Sequence, residues 1–406
     1  MSILAKIAAY ATTHNCADFL TETLGPHAEP VRRGDRPFVL FGAGSAGRRL
    51  LPLFLAHGAT PTFFCDNDPR KIGDRLDGIT IITVADVRCN LPDAIVVITV
   101  GQGEENVRQQ FISTGFLSEN IRTVCAGPLN FYTHINQWYW SEADLAKHAN
   151  DLAKTYHLLA DNSSRRLFLQ RIALLSGGAH YTAYCAHIKE HSYVGLHPCP
   201  SVRGGPENHY YFNNDVVRLS NKETIVDCGA FDGDTLEQFL LASQHFPNAT
   251  YTAHCLEPDP VNFSKLAENI PANDNVHLYK IGAWSGKATL DFEDSTATSV
   301  NQPSSAKIGC QGTGIKIEVD ALDTLLAGEQ VTFIKMDIEG AEKEALQGAT
   351  ELIAKCRPTL AISIYHLRDD IFQIPLLIDK TCAGYRFHLR LFSQNFTETV
   401  LFAIPG

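Results

Sequence analysis

Four predicted strands each end at a residue that can exchange a proton or attract a cation. These residues are Asp227, Glu257, Asp337 and His366. In an open α/β sheet, ligands bind outside the carboxyl ends of the strands, so we expect the four side chains to converge there. A single residue of this kind is more often a helix cap or part of a solvated turn. Four such strand ends in one sheet favour a site that carries out chemistry.

Proton transfer is the chemistry that the last two strand ends suggest. His366 is the best candidate for a general base, because imidazole titrates near neutral pH. Asp337 or Glu339 could orient His366 or act in its place, and Lys335 could stabilise an alkoxide. Together with Glu342, the two acids could also hold a divalent metal. Acids at a helix turn without His or Asn partners are usually caps, however, so we expect a site without a metal.

A glycine turn between a predicted strand and helix, VDCGAFDGDT at residues 226–235, carries three aspartates. Glycine turns let a ligand approach the backbone N–H groups at a helix N-terminus. Three carboxylates would repel a pyrophosphate, which argues against a dinucleotide here. A ligand with positive charge suits the turn, and S-adenosylmethionine carries both a sulfonium and an ammonium group. Glu257 ends the following strand, where an acid can bind a ribose.

An earlier glycine turn, GAGSAG at residues 42–47, has the opposite charge. It contains no acid and is followed by Arg48 and Arg49, so the helix dipole and the arginines favour an anion such as a pyrophosphate. Asp66 ends the next strand and could accept hydrogen bonds from a ribose. The alternative is a tight turn that binds nothing. The residues of this candidate second nucleotide site are Gly42, Gly44, Gly47 and Asp66.

Two series of alternating strands and helices must position these turns. One series begins near Arg36 and the other near Glu223, and this alternation indicates βαβ units with parallel strands. The last two strand-like runs, YRFHLRLF and ETVLFAIP, are joined by five residues, which predicts an antiparallel hairpin. Between the two series, apolar residues at helical spacing predict helices over 141–160 and 162–175, with a break at residues 161–162.

The composition agrees with a compact protein of two or three domains. The chain has 406 residues, against roughly 150 per domain. A net charge of −11 argues against an extended nucleic-acid partner. The 11 cysteines are scattered without a C-x-x-C pair, which is typical of thiols in a reducing compartment. No run approaches the roughly 18 apolar residues of a membrane span, so we expect a cytoplasmic protein.

The C-terminal motifs resemble those of FkbM-type S-adenosylmethionine-dependent methyltransferases. Four runs carry the likeness in the same order: VDCGAFDGDT, EPDPVNFSKLAENI, IKMDIEGAEKEAL, and SIYH with DDIFQIP downstream. The resemblance covers about Tyr211–Pro405. It implies a seven-stranded class I methyltransferase sheet and O-methylation, commonly of a sugar or polyketide hydroxyl.

The same resemblance implies the residues that bind S-adenosylmethionine. Asp227, Gly229 and Gly233 would hold its methionine part, and Glu257 would hold its ribose. Ala283 and Trp284 would lie near its adenine. The further cofactor-binding residues of these motifs are Ala230, Phe231, Thr235 and Pro258.

Residues 36–127 are similar to a different group, the nucleotide-binding domains of acyltransferases that act on nucleotide sugars. The likeness rests on GAGSAG, FFCDNDPRKIGDRLDGI and VITVGQG. It implies that this part could bind a nucleotide sugar, a nucleotide effector or nothing. We do not expect a dehydrogenase, because no substrate domain with residues for hydride transfer lies beside it.

The predicted fold class is therefore α/β, with two Rossmann-like open sheets joined by a helical connector. The predicted domains are a Rossmann-like nucleotide-binding domain at 1–127, the connector at 128–222 and the methyltransferase domain at 223–406. The expected function is S-adenosylmethionine-dependent O-methyl transfer to a hydroxyl of a sugar, glycan or related small molecule. The alternative is a regulatory protein that binds a nucleotide or nucleotide sugar and has a non-catalytic methyltransferase fold. Either protein could form a homo-oligomer.

Overall fold

The computed structural model describes most of the chain. The described residues are 1–11, 19–100, 103–124, 140–176, 187, 189–191, 211–212, 214–244, 246, 248–270, 273–293, 307–308, 315–392 and 398–406. They fall into two compact units. The C-terminal unit comprises residues 1–4, 144–169 and 189–406, and the N-terminal unit comprises residues 5–143 and 170–188.

Six short strands form the sheet of the N-terminal unit. They are β1 Phe38–Phe41, β2 Phe63–Cys65, β3 Arg75–Leu76, β4 Ile79–Ile82, β5 Ile95–Ile98 and β6 Ile121–Thr123. Their order is β3-β4-β2-β1-β5-β6, and every neighbouring pair is parallel except the β3–β4 hairpin. The central strands β1 and β5 are buried at every position, as expected for parallel strands covered on both faces. The first helices of the chain are α1 Ile3–Ala11, α2 Phe19–Leu24, α3 Ala28–Arg32, α4 Ser45–Ala56, α5 Val84–Asn90 and α6 Glu104–Ser113.

Two further helices follow where helical spacing predicted them. They are α7 Glu142–Leu158 and α8 Asn162–Ser176, and the break between them is at Asp161. Its Oδ1 accepts a hydrogen bond of 2.6 Å from the Ser164 N–H, which satisfies one of the free donors at the start of α8.

The remaining strands belong to the C-terminal unit. They are β7 Lys222–Cys228, β8 Thr250–Leu256, β9 Val276–Tyr279, β10 Gly282–Ala283, β11 Ala288–Glu293, β12 Lys307–Ile308, β13 Ile315–Asp320, β14 Phe333–Met336, β15 Thr359–Ser363, β16 Tyr385–Leu391 and β17 Thr399–Pro405. Seven of them form the main sheet in the order β16-β17-β15-β14-β7-β8-β9. The five strands from β15 to β9 are parallel, whereas β17 is antiparallel to both β15 and β16. The α/β class with mainly parallel sheets is therefore confirmed.

The predicted hairpin at the end of the sequence is present, since β16 and β17 pair antiparallel over their whole lengths. The five residues that connect them, 393–397, lie outside the described residues. The helices of this unit are α9 Asp234–Ser243, α10 Pro260–Asn269, α11 Leu322–Leu325, α12 Glu342–Gln347, α13 Thr350–Cys356 and α14 Asp370–Thr381.

A second, four-stranded sheet in the C-terminal unit has the order β10-β13-β11-β12. The strand-like run HLYKIGAW at residues 277–284 is not a single strand. The run divides between two sheets, because β9 pairs with β8 while β10 pairs with β13. The strand partners lie far along the chain, so local pattern could not separate the two pieces.

Residues 144–169 were predicted as part of a separate connector, but they group with the C-terminal unit. The ring of His148 lies 5.0 Å from that of Phe372 in α14. The Ala160 N–H donates a 2.8 Å hydrogen bond to the carbonyl of Phe387 in β16. These contacts attach α7 to the main sheet and to a helix beside it. The predicted boundaries at 127 and 222 otherwise remain predictions.

In the described ranges, no helix combines the length and apolar character that crossing a membrane requires.

Candidate active site

The glycine turn after β7 is shaped by close backbone contacts. Gly229 has φ +81°, and a Cβ there would lie 2.1 Å from the carbonyl oxygen of Asp337. Gly233 has φ +93°, and its Cβ would lie 2.6 Å from Cγ1 of Ile270. Positive φ is the region that favours glycine, and neither position has room for a side chain. The turn therefore runs directly against the end of β14.

A buried ion pair joins the turn to β14. Lys335 Nζ lies 3.0 Å from Asp227 Oδ1 and donates a 2.8 Å hydrogen bond to the carbonyl of Gly229. Burial raises the pKa of Asp227, although Lys335 opposes the change. Burial alone would lower the pKa of Lys335, but Asp227 and Asp337 outweigh it and raise that pKa. Because the lysine is occupied by the turn, the arrangement does not favour its predicted role as an alkoxide stabiliser.

Glu257 holds the turn from the neighbouring strand end. Its Oε2 accepts a 2.9 Å hydrogen bond from the Phe231 N–H, and its Oε1 accepts one of 2.9 Å from the Asp259 N–H. Phe231 has φ +49°, so this bond supports a conformation that costs energy in a residue with a side chain. Burial raises the pKa of Glu257 to about 7, although the two N–H donors oppose the rise.

The other predicted residues of this turn lie in the interior. Ala230 is fully buried and its N–H donates to the carbonyl of Leu256. Thr235 is buried in the first turn of α9, and its N–H donates a 2.7 Å hydrogen bond to Asp234 Oδ1. Burial raises the pKa of Asp234 to about 6. These residues support the turn, and their predicted contact with a cofactor remains a prediction.

The residues predicted to lie near an adenine are next to the four-stranded sheet. Ala283 is in β10 and is paired with Asp320. The Trp284 side chain packs against the core of that sheet, which is formed by Phe292, Ile317 and Val319. Pro258 follows β8, and a Cβ on Gly282 would lie 3.6 Å from its Cβ. Pro258 and β10 are thus neighbours, and contact of these residues with an adenine remains a prediction.

His366 lies among three carboxylates at the ends of β14 and β15. Its Nδ1 is 2.8 Å from Glu342 Oε1, and its Nε2 is 3.2 Å from Asp337 Oδ1 and 3.8 Å from Glu339 Oε2. Burial alone would lower the pKa of His366, but Glu342 and Asp337 outweigh it and hold this pKa well above its ordinary value. Burial alone would raise the pKa of Asp337, but His366, Lys335 and Tyr365 hold it below its ordinary value. The two carboxylates therefore favour the charged form of the imidazole, and the role of His366 as general base remains a prediction.

Two tyrosines that sequence reasoning missed complete this group. Tyr365 Oη lies 3.1 Å from Asp337 Oδ1 and 3.2 Å from Glu398 Oε1. Tyr211 Oη is 3.5 Å from Asp337 Oδ2, and Lys335 Nζ lies 5.9 Å from the centre of its ring. Tyr365 directly precedes His366, which was a usable signal. Tyr211 lies before β7, and nothing in the spacing connects it with Asp337.

The glycine turn of the N-terminal unit is accounted for by contacts within that unit. A Cβ on Gly42 would lie 2.9 Å from Thr99 Oγ1, and one on Gly47 would lie 2.1 Å from the Gly42 carbonyl oxygen. A Cβ on Gly44 would meet nothing within 4 Å. Asp66 Oδ2 already accepts hydrogen bonds of 2.9 Å from the Ala43 N–H and from Lys71 Nζ. A tight turn explains these residues without a nucleotide.

Comparison with known proteins agrees with the C-terminal site. Residues 227–389 match the model of the methyltransferase FkbM domain. The match begins at residue 227, so it gives no support to the resemblance between residues 36–127 and nucleotide-sugar acyltransferases. The chain is also 28% identical over 171 residues to the 2-O-methyltransferase NoeI of Sinorhizobium fredii, which covers 37% of this chain and 68% of that protein.

A solved structure shares the fold. The crystal structure of methyltransferase FkbM from Methylobacillus flagellatus is 20% identical in sequence, with a TM-score of 0.61 over 99% of this chain and 98% of its own. At that identity the likeness concerns the fold alone. Residues 227–389, which are similar to the methyltransferase FkbM domain, contain Asp227, Glu257, Asp337 and His366.

Proposed function

We propose that this protein is an S-adenosylmethionine-dependent O-methyltransferase that acts on a hydroxyl of a sugar, glycan or related small molecule. The observation that carries the proposal is that the glycine turn after β7 contacts the end of β14. The acidic residues that surround His366 lie at this strand end and at the end of β15. Gly229 and Asp337 are in direct backbone contact. A methyl donor in the turn would therefore lie next to side chains that can handle an acceptor hydroxyl. The FkbM domain match and the 2-O-methyltransferase relative support the same reaction class.

The turn suits the chemistry of S-adenosylmethionine. Asp227 Oδ2 is buried and has no hydrogen-bond partner among the described residues, so it can accept a donor from a ligand. Both Glu257 oxygens hold backbone N–H groups, and each retains a second lone pair for a ribose hydroxyl. We assign the seven-stranded sheet to the class I methyltransferase type on this basis.

The acidic group would orient the acceptor. Methyl transfer from a sulfonium is an in-line displacement, so the position of the attacking oxygen carries much of the rate. We assign the orienting role to the carboxylates of Asp337 and Glu339, which both lie close to His366 Nε2. Glu339 has φ +55°, which is a strained conformation for a residue with a side chain, and such strain is frequent at functional sites.

Titration calorimetry with S-adenosylmethionine tests the donor site. We expect the intact chain to bind the donor, and Glu257→Gln to bind at least about tenfold more weakly, because a glutamine cannot accept from both N–H groups. Glu268→Gln, an exposed residue of α10, is the matched control and should bind as the unchanged chain does. Equal affinity in the Glu257 variant would contradict this assignment of the site.

Transfer of a labelled methyl group to a panel of monosaccharides and glycans tests the reaction. We expect incorporation that depends on a free hydroxyl and yields a base-stable ether. A chain that binds the donor but methylates none of these acceptors would favour the regulatory alternative.

A further inference from the structure

The group around His366 has the features of a cation site. One candidate ligand atom from each of Asp337, Glu342 and His366 lies within 4.8 Å of the other two. Two first-row metal ligands about 2.1 Å from an ion, at angles of about 90–110°, are themselves about 3.0–3.5 Å apart. The 3.2 Å between His366 Nε2 and Asp337 Oδ1 falls in that interval.

Two atoms of this group are buried and unused. Glu342 is 0% exposed, and its Oε2 has no hydrogen-bond partner among the described residues. His366 Nε2 is likewise buried, and its contacts with the neighbouring carboxylates lack hydrogen-bond geometry. A buried carboxylate oxygen without a donor costs free energy unless something positive binds it. An ion at His366 Nε2 would lie on the side of the ring that faces Asp337 and Glu339.

The charge of the surroundings also points to a cation. Glu339 Oε2 adds a further carboxylate 3.8 Å from His366 Nε2, and burial together with Glu342 raises the pKa of the neighbouring Asp370 to about 7. Lys343 Nζ lies 3.8 Å from Asp370 Oδ1 and is hydrogen-bonded to Gln373. Among the described residues around His366, acidic side chains are more numerous than lysine ammonium groups.

The candidate ligands are held from behind. Glu342 Oε1 accepts from both His366 Nδ1 and the Ile338 N–H. Tyr365 and Tyr211 lie within hydrogen-bond reach of Asp337. A carboxylate behind an imidazole is the common arrangement around a metal-bound histidine, because it fixes the ring and leaves the other nitrogen for the ion.

We propose that Asp337, Glu339 and His366 Nε2 bind a divalent first-row cation such as Mn²⁺ or Zn²⁺, with Glu342 holding His366 Nδ1 from behind. The mixture of one imidazole and two carboxylates fits this class of ion better than Ca²⁺, which prefers oxygen ligands alone. This proposal departs from the expectation from the sequence, which considered Asp337, Glu339 and Glu342 without a histidine and favoured no metal.

The consequence for catalysis rests on the function proposed above. A hydroxyl bound to the cation would lose its proton more readily, as metal-bound water does. Its oxygen would form a bond to the methyl carbon while the carbon–sulfur bond breaks and its electron pair stays on sulfur. The hydroxyl proton would pass to water. A cation that also contacts a second, neighbouring sugar hydroxyl would favour vicinal diols as acceptors.

Binding of Mn²⁺ to the full chain, stripped of metal with a chelator and dialysed, tests the site without any need for turnover. Electron paramagnetic resonance measures the loss of the free Mn²⁺ signal, and calorimetry with Zn²⁺ provides a second probe. We expect one ion per chain, with binding weakened at least about tenfold in both His366→Gln and Glu342→Gln. His157→Gln, on the exposed end of α7, is the matched control and should bind as before.

The outcomes separate this inference from the proposed function. Absence of Mn²⁺ and Zn²⁺ binding, or equal binding by folded His366 and Glu342 variants, would overturn the metal site. If either variant fails to unfold cooperatively, Asp337→Asn replaces it in the comparison. Binding of S-adenosylmethionine in the presence of chelator, without metal binding, would leave the methyltransferase proposal standing alone. Metal binding without binding of S-adenosylmethionine would support the metal site and contradict the proposed function.

Discussion

Lys335 contacts two residues of the glycine turn after β7, Asp227 and Gly229, and helps this turn to keep its shape. Its Nζ meets the Asp227 carboxylate and the Gly229 carbonyl, and both charged side chains are almost fully buried. Removal of one member of a buried ion pair leaves an uncompensated charge, which typically costs about 3–5 kcal/mol. We therefore expect Asp227→Asn and Lys335→Met each to lower the free energy of unfolding by this amount. The double variant should lose clearly less than the sum, by about 1–3 kcal/mol.

Urea unfolding of the four proteins in this double-mutant cycle measures the coupling. The exposed pair Lys316–Asp291, at 3.1 Å, is the matched control, and its coupling should be too small to resolve. Additive effects at Asp227 and Lys335 would contradict the interpretation that each residue needs the other.

At the residue scale, the sequence predicted positions better than roles. An acid after a run of strand-forming residues was enough to place Asp227, Glu257 and Asp337 at the ends of parallel strands. Their partners depend on contacts across the sheet, and residue type does not encode those. Tyr211 and Asp337, for example, are 126 residues apart. The raised pKa of His366 could not be predicted either, because the pKa of an imidazole depends on which carboxylates surround it.

At the scale of elements, ion pairs and hydrogen bonds connect the start of α8 to β16. Asp161 Oδ2 is 2.6 Å from His388 Nδ1 and 3.1 Å from an Arg390 guanidinium nitrogen. Ser164 Oγ accepts a 2.8 Å hydrogen bond from the Leu389 N–H. Burial alone would raise the pKa of Asp161, but His388, Ser164 and Arg390 outweigh it and lower this pKa. The carboxylate therefore stabilises the folded state in its ionised form.

The lowered pKa of Asp161 predicts the direction of its pH dependence. Its contribution is fully present above the ordinary aspartate pKa and is lost as the pH falls towards the lower pKa of the folded state. We expect Asp161→Asn to be less stable than the unchanged chain at pH 7, with the difference shrinking between pH 5 and pH 3. Urea unfolding across this range measures it. Asp151→Asn, in a surface pair with Lys154, is the control, and an Asp161 effect that does not vary with pH would contradict the assignment.

Some elements could be predicted from local pattern and others could not. The amphipathic helices α7 and α8 and the β16–β17 hairpin follow from spacing within a short stretch of chain. The division of residues 277–284 between two sheets does not, because β10 is only two residues long and its partner β13 begins at Ile315. The pattern of the first glycine turn left a bound nucleotide and an empty tight turn both open, and the close contacts at Gly42 and Gly47 are compatible with either.

For the whole molecule, two separate cores predict two unfolding events. One core lies around β1 and β5 in the N-terminal unit, and another around β7, β8 and β14 in the C-terminal unit. We expect scanning calorimetry to resolve two transitions. S-adenosylmethionine at a hundredfold excess over its Kd should stabilise only one of them, by about 2.7 kcal/mol. A single transition, or equal stabilisation of both, would show that the units unfold together.

The position of β17 has a consequence for how the protein is made. Residues 399–405 are the last of the seven strands to leave the ribosome, yet they pair with β15 on one side and β16 on the other. Until they emerge, β15 keeps an open edge and β16 has no partner in the sheet. Open edges of this kind invite pairing with other chains. During synthesis, therefore, the incomplete sheet exposes strand edges to other chains until its last strand is inserted.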